Sequence, residues 1–254
     1  MKYDFKNKRI WITGASSGIG LALAKALIKE SAFIAVTARN GEKLFEHFGN
    51  NHKVLIVPGD VTSRSINDSI MHKIDEEFGG LDCVILNAGS AEYIDIKNFE
   101  EGPFERMMET NFLSLVKGIA ASLPQLRQSD TPYLVGMSSS VAWQGLPQAQ
   151  AYSASKAAIR NLFQGLRIQL SAENIAVSWI CPGFVKTPLT DKNDFPMPFR
   201  ISAESAAKTI VKNLNKQKSE IQFPKLFTYF LRLISLLPVS LSARMLTNTV
   251  PKPN

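Results

Sequence analysis

The chain has 254 residues, 45% hydrophobic and 20% charged, ordinary values for a globular protein with one sizeable core. Its net charge is +7, yet no Lys/Arg-rich run occurs, which excludes a nucleic-acid-binding tail and leaves a generally basic surface. Two cysteines, Cys83 and Cys181, are too few for a disulfide framework, and residues 1–9 are charged and run straight into an apolar strand, unlike a signal peptide; both features point to a cytoplasmic protein.

Arg9-Ile10-Trp11-Ile12-Thr13 reads as a buried strand. It leads into Gly14-Ala15-Ser16-Ser17-Gly18-Ile19-Gly20, after which Leu21, Ala24, Leu27 and Ile28 share one helical face. A glycine-rich turn between strand and helix lets backbone approach a pyrophosphate, and the helix N-terminus offers free N–H groups and positive dipole. Gly14, Ser16, Ser17, Gly18, Ile19 and Gly20 are therefore candidates for holding a nucleotide, at the spacing G-x-x-x-G-x-G rather than the commoner G-x-G-x-x-G. The second strand, Phe33–Thr37, ends in Ala38-Arg39-Asn40. An acid at such a strand end binds a ribose 2′-hydroxyl, whereas an arginine accommodates a 2′-phosphate, so Arg39 predicts NADP over NAD.

A third strand at 54–57 is followed by Gly59-Asp60-Val61-Thr62. Asp60, with Val61 beside it, either reaches an adenine edge or caps the helix expected at 63–78. The fourth strand, Cys83–Leu86, ends in Asn87-Ala88-Gly89, small enough for close approach by a cofactor. Alternating strands and helices predict a parallel sheet covered on both faces, with ligands bound outside the carboxyl ends of the strands. The glycine-rich turn, Arg39, Asp60 and Asn87 all fall on that rim.

A long helix is expected over 104–123, with Asn111 between apolar turns, where it can kink the helix and hold a water. The fifth strand, Tyr133–Met137, ends in Ser138-Ser139-Ser140. After a loop at 141–148, a helix over 150–172 carries Ala151-Tyr152-Ser153-Ala154-Ser155-Lys156. Tyr152 and Lys156, at i and i+4, lie on one face and reach one ligand. A phenol with a pKa of ~10 is a poor proton carrier at neutral pH, and a nearby cation lowers that value. The sixth strand, 176–180, ends in a turn through Cys181-Pro182-Gly183-Phe184-Val185-Lys186-Thr187 that redirects the chain across the rim.

Taken together, Thr13-Gly14-x-x-x-Gly18-x-Gly20, Asn87-Ala88-Gly89, Asn111, a serine ahead of Tyr152-x-x-x-Lys156, and Pro182-Gly183 resemble the short-chain dehydrogenase/reductase superfamily, over roughly residues 6–215. The resemblance implies an α/β fold, a Rossmann-like doubly wound parallel sheet. It also implies an NADP-dependent oxidoreductase moving a hydride between a nicotinamide and a carbonyl or secondary alcohol. Tyr152 is then the acid/base, and the family's Ser-to-Tyr spacing of thirteen selects Ser139 to position the carbonyl, with Ser138 the alternative. Lys156 would bind the nicotinamide ribose and lower the Tyr152 pKa, Asn111 would hold a water, and Val185 and Thr187 would meet the carboxamide, with no metal. The family commonly forms homodimers or tetramers through the helices bearing Asn111 and Tyr152.

Two segments lie outside these motifs. Residues 187–200, with Phe195-Pro196-Met197-Pro198-Phe199, fall where the family has a lid over the substrate. Residues 221–254 form a helical extension to a catalytic domain at 1–220. Within 223–246 an apolar helix ending before Pro238 carries a polar stripe of Lys225, Thr228, Arg232 and Ser235, and the whole extension lacks Asp and Glu. So apolar a helix must bury most of its circumference: it packs on the substrate pocket or a partner subunit, or lies in a membrane interface as a peripheral contact. A hydrophobic, lipid-like or steroid-like substrate is expected. The rival reading is a membrane-associated, nucleotide-responsive binding protein with a vestigial site.

Overall fold

The computed structural model describes residues 2–247. Seven parallel strands form the central sheet: β1 (Arg9–Thr13), β2 (Phe33–Thr37), β3 (Val54–Ile56), β4 (Cys83–Leu86), β5 (Tyr133–Met137), β6 (Ala176–Pro182) and β9 (Glu220–Phe223), in the order β3-β2-β1-β4-β5-β6-β9. A short parallel pair, β7 (Val185–Lys186) and β8 (Ile201–Ser202), lies outside it. Each strand alternates its side chains between two cores, as period-two geometry requires. In β1, Ile10 and Ile12 enter the core beneath helices α1 (Gly18–Lys29) and α7 (Ala203–Leu214), while Trp11 enters the opposite core, beneath α3 (Arg64–Phe78), α5 (Ser114–Leu126) and α6 (Gln150–Leu170). Trp11 is fully buried and its Nε1 donates to Thr37 Oγ1 at 2.9 Å, so its one polar atom is satisfied. The chain runs outward from β1 to β3, then returns to add β4 on the other side. That reversal leaves a crevice at the carboxyl ends of β1 and β4.

The expected helix over 104–123 runs from Gly102 to Leu126, but not uniformly. After α4 (Gly102–Met107), residues Met108–Leu113 are π-helical before α5 resumes. Asn111 sits in this widened turn, a feature that clusters at functional sites. Ser63, not Asp60, caps α3: its side chain accepts from the Ile66 N–H. Asp60 instead closes its own turn, accepting from the Thr62 N–H at 3.0 Å and hydroxyl at 2.8 Å.

Five of the named strands and helices gave no sequence signal that was read: α2 (Gly41–Phe48), β7, β8, α7 and β9. β9 straddles position 220, so residues 221–223 belong to the sheet, and the extension proper is α8 (Lys225–Ser235) and α9 (Val239–Thr247). One side of α8 packs on the protein and another faces outward. Thr228, Leu231 and Ile234 face the protein, and the Thr228 hydroxyl donates to the Pro224 carbonyl at 3.1 Å. Thr228 therefore leaves the polar stripe, and Leu226, Tyr229, Phe230 and Leu233 face outward.

Candidate active site

The glycine-rich turn is shaped by contacts that admit no side chain. A Cβ on Gly20 would lie 2.3 Å from the Gly14 carbonyl oxygen and 2.5 Å from Asn87 Nδ2, so the turn folds tightly on itself. Asn87 holds it there, its Nδ2 donating to the Thr13 carbonyl at 2.9 Å. Thr13 answers, its Oγ1 accepting from the N–H groups of Asn87 and Ala88, both at 3.0 Å. The end of β1 is thus locked to the end of β4, across the crevice. At the start of α1, Ser17 makes no side-chain cap, so the first-turn N–H groups keep their donors for a ligand.

Farther along, Gly18 has φ +55° and would crowd Thr187 if it bore a side chain. The turn after β6 is therefore folded against the glycine turn, closing one end of a cleft of about 420 Å³. Gly14, Ser16, Ser17, Gly18, Ile19, Gly20, Arg39, Asp60, Val61, Asn87, Ala88, Gly89, Ser139, Tyr152, Lys156, Pro182, Gly183, Val185 and Thr187 all line this cleft. Arg39 stands exposed on its rim without a hydrogen bond or ion pair among the described residues, and it adds to the forces holding the Asp60 carboxyl below its ordinary value, of which the Thr62 N–H is the largest. A glycine cradle, an uncapped helix N-terminus and an arginine free on the rim fit a dinucleotide.

At the other end of the cleft, α6 and β5 meet. Lys156 is buried and its Nζ donates to the Met137 carbonyl at 2.9 Å, tying α6 to the end of β5. The same Nζ lies 5.8 Å from the centre of the Tyr152 ring. The Ser138 hydroxyl donates to the Lys156 carbonyl at 2.8 Å and is consumed there. The Ser139 hydroxyl donates to the Pro182 carbonyl at 3.5 Å, and its proximity to the Tyr152 phenol favours the phenolate. Both serines line the cleft.

The electrostatics differ from expectation in one respect. The cation was expected to lower the Tyr152 pKa, but burial dominates and pushes the phenol up to about 12, against the opposing pull of Ser139. Burial likewise lowers Lys156, to about 8. Both groups lose hydration together, and desolvation disfavours the charged form of each. At neutral pH the phenol therefore carries its proton.

Asn111 lies behind the cleft wall rather than in it. Its Oδ1 accepts from the Ser90 N–H at 2.7 Å, and its Nδ2 donates to the Ser90 carbonyl at 3.0 Å and to Ser155 Oγ at 2.9 Å. Ser155 in turn donates to the Tyr152 carbonyl at 2.8 Å. Asn111 thus braces the loop after β4 against the turn of α6 that bears the tyrosine. Ser90 and Ser155 were not read from the sequence, since a serine in a loop or helix carries no distinguishing pattern.

Tyr93 was missed for the same reason. Its hydroxyl donates to Asn193 Oδ1 at 2.7 Å, and its ring meets Phe195 edge-on at 5.6 Å. Phe195 packs on Phe184 at 6.1 Å, and Phe184 on Phe227 of α8 at 5.2 Å. Phe199, in the same segment, is exposed. Arg200 holds the base of the segment through Asp191 and through Thr190 Oγ1.

Among the described residues no group of His, Cys, Asp or Glu is arranged to hold a metal ion. No helix there is long and apolar enough to cross a membrane.

Comparison with known proteins agrees with this geometry. The family model described as short chain dehydrogenase matches residues 8–196. An uncharacterized oxidoreductase of Myxococcus xanthus is 33% identical over 234 residues, covering 89% of this chain and 91% of that one. One from Staphylococcus haemolyticus is 32% identical over 202 residues, covering 79% and 87%. Among solved structures, a short chain dehydrogenase from Burkholderia cenocepacia J2315 in complex with NADP superposes with a TM-score of 0.84 at 21% identity, covering 96% of this chain and 99% of that one. A short chain dehydrogenase/reductase from Burkholderia phymatum in complex with NAD gives a TM-score of 0.84 at 19% identity, covering 99% of each. The chain belongs to the short-chain dehydrogenase family of oxidoreductases.

Proposed function

We propose that this protein is an NADPH-dependent reductase of hydrophobic carbonyl compounds, acting through Tyr152, Ser139 and Lys156. The observation that carries the reading is the convergence of these three side chains at one end of the cleft whose other end is the glycine cradle. A bound nicotinamide supplies a hydride, two electrons with a proton, to the carbonyl carbon. The Tyr152 phenol gives the second proton to the carbonyl oxygen, and a phenol protonated at neutral pH suits reduction better than oxidation. The Ser139 hydroxyl hydrogen-bonds the oxygen as charge develops. Lys156, braced on Met137, orients the nicotinamide ribose, and Asn111 positions the tyrosine-bearing turn from behind. Val185 and Thr187, which line the cleft, would hold the carboxamide.

Arg39 supports NADPH, because a free guanidinium at the end of β2 meets a 2′-phosphate where an acid would repel it. The aromatic run Tyr93, Phe195, Phe184 and Phe227 supports an apolar substrate, since the Tyr93 end of this chain of rings acts on the Tyr152 phenol and offers mainly apolar surface. A homodimer or tetramer, working in the cytoplasm with peripheral attachment to a membrane, completes the reading.

The test is NADPH oxidation across ketones and aldehydes of increasing apolar chain length, with NADH in parallel. Rates should rise with chain length and favour NADPH. Tyr152→Phe should abolish turnover and leave NADPH binding intact; turnover retained in that variant overturns the assignment. A vestigial site would show instead as NADPH binding without turnover of any carbonyl.

A further inference from the structure

We propose that α8 and α9 form a docking face for an anionic membrane surface, which sets the mouth of the cleft against the bilayer. The proposal rests on the reductase reading for its second clause only.

Helix α8 is apolar on two opposite sides. Its inner side is Phe227, Leu231 and Ile234, packed against the protein. Its outer side is Leu226, Tyr229, Phe230 and Leu233, at the i, i+3, i+4, i+7 positions of one stripe. The stripe continues past Pro238, where Leu236 and Val239 are 77% and 83% exposed. Large side chains this exposed in succession give a patch on the order of several hundred Å², at the upper end for a monomer. Neither helix spans a bilayer, since α8 has 11 residues and α9 has 9. The geometry is that of a helix lying in the interface plane, with a tyrosine among its outward residues.

Charge selects the occupant. The sequence from 221 to 254 contains no Asp or Glu, while Lys225, Arg232 and Arg244 flank the apolar stripe. The neighbouring Glu220 is shared between Arg160 at 3.0 Å and Arg232 at 3.5 Å, so one carboxylate faces two guanidinium groups. In a two-fold contact with a second copy, each patch would meet itself, cation against cation, with no acid in the segment to pair. An anionic lipid surface satisfies both the apolar stripe and its basic edges.

The inner side of α8 links the face to chemistry. Phe227 touches Phe184, and a Cβ on Gly183 would lie 2.8 Å from the Phe227 ring. Gly183 lines the cleft, so α8 backs its wall. Docking through the outer side would hold that wall at the lipid surface, within reach of a carbonyl dissolved in the bilayer.

The experiment is vesicle flotation of the full chain, using phosphatidylcholine alone and phosphatidylcholine containing one-third phosphatidylglycerol. Wild type should float with the anionic vesicles, less so with phosphatidylcholine alone, and release as salt is raised. The triple variant Leu226→Ser, Phe230→Ser, Leu233→Ser should lose binding about tenfold or more. All three side chains face outward, so its melting temperature and its turnover of a short water-soluble ketone should match wild type. Turnover of a long-chain ketone presented in anionic vesicles should fall in the variant. Wild type that stays unbound, a variant that binds equally, or a wild-type dimer that the triple variant converts to monomer overturns the docking proposal. Flotation without turnover of any ketone leaves the docking face standing and overturns the reductase reading instead.

Discussion

Gly136 sits in the middle of β5, paired on one side with Leu86 of β4 and on the other with Trp179 of β6. A Cβ there would lie 2.3 Å from Phe163 Cζ and 2.5 Å from Cε2, where ordinary contact begins at 3.4 Å. In Gly136→Ala the ring must therefore retreat by more than 1 Å. It has nowhere to turn, because Phe163 is fully buried in the core between β5 and α6, and β5 is held by neighbours on both edges. Overpacking of this kind costs about 1–3 kcal/mol, which for a chain of this size lowers the melting temperature by roughly 3–10 °C. The displaced element is α6, which carries Lys156 two turns and Tyr152 three turns before Phe163. The 2.9 Å bond from Lys156 Nζ to the carbonyl of Met137, the residue after Gly136, registers any shift directly. A displacement near 1 Å costs on the order of 10²-fold in rate, so kcat/KM should fall between ten- and a hundredfold. Calorimetry and NADPH oxidation read the two effects. Phe163→Leu in the same chain removes the colliding ring atoms and should recover part of both losses. An alanine variant with wild-type melting and turnover, or a double variant no better than the single, refutes the claim that this contact sets the position of the site.

Three further outcomes follow from the geometry. Lys156, lowered to about 8 from an unfolded value of 10.5, binds fewer protons folded than unfolded between those limits, so its contribution to stability should rise with pH across that window, by up to about 3 kcal/mol. Tyr152, raised from 10.0 to about 12, acts in the opposite sense above pH 10. Cys83 and Cys181 above pH 9, and Tyr3 and Tyr133 above pH 10, all raised by burial, act in the same sense as Tyr152, so denaturant midpoints should climb between pH 8 and 9 and fall beyond, and Lys156→Met should lack the climb. Arg39→Ala should weaken NADPH binding about ten- to a hundredfold, the 1.5–3 kcal/mol of a charge-assisted hydrogen bond, and leave NADH binding unchanged by fluorescence titration; equal loss for both cofactors would place Arg39 elsewhere than at the 2′-phosphate. Tyr93→Phe removes the bond to Asn193 but keeps the ring on Phe195, so KM for a long-chain carbonyl should rise about two- to tenfold with kcat nearly constant; an unchanged KM would mean that the bond does not hold the 187–200 segment over substrate.

The sequence by itself determined the first six strands along the chain, the cradle at their carboxyl rim and the Tyr152–Lys156 face. Each of these is local: a strand running into glycines, a period of 3.6, a spacing of four. Tertiary structure decided everything that depended on which groups meet. Ser138 and Ser139 are neighbours in sequence, and only the tertiary fold gives one hydroxyl the Lys156 carbonyl and the other the Pro182 carbonyl. Asn111 was legible as a polar residue in an apolar helix, but its bonds to Ser90 and Ser155 join segments 21 and 44 residues away. β9 was hidden because Glu220 and Gln222 interrupt its apolar residues, and their pairing with β6 is a long-range event. The Tyr152 pKa is raised because burial, a property of the whole packed molecule, outweighs the opposing pull of Ser139. The extension shows the same division: composition announced an apolar, acid-free segment, while the packing of Phe227, Leu231 and Ile234 decided which side of α8 remained outside.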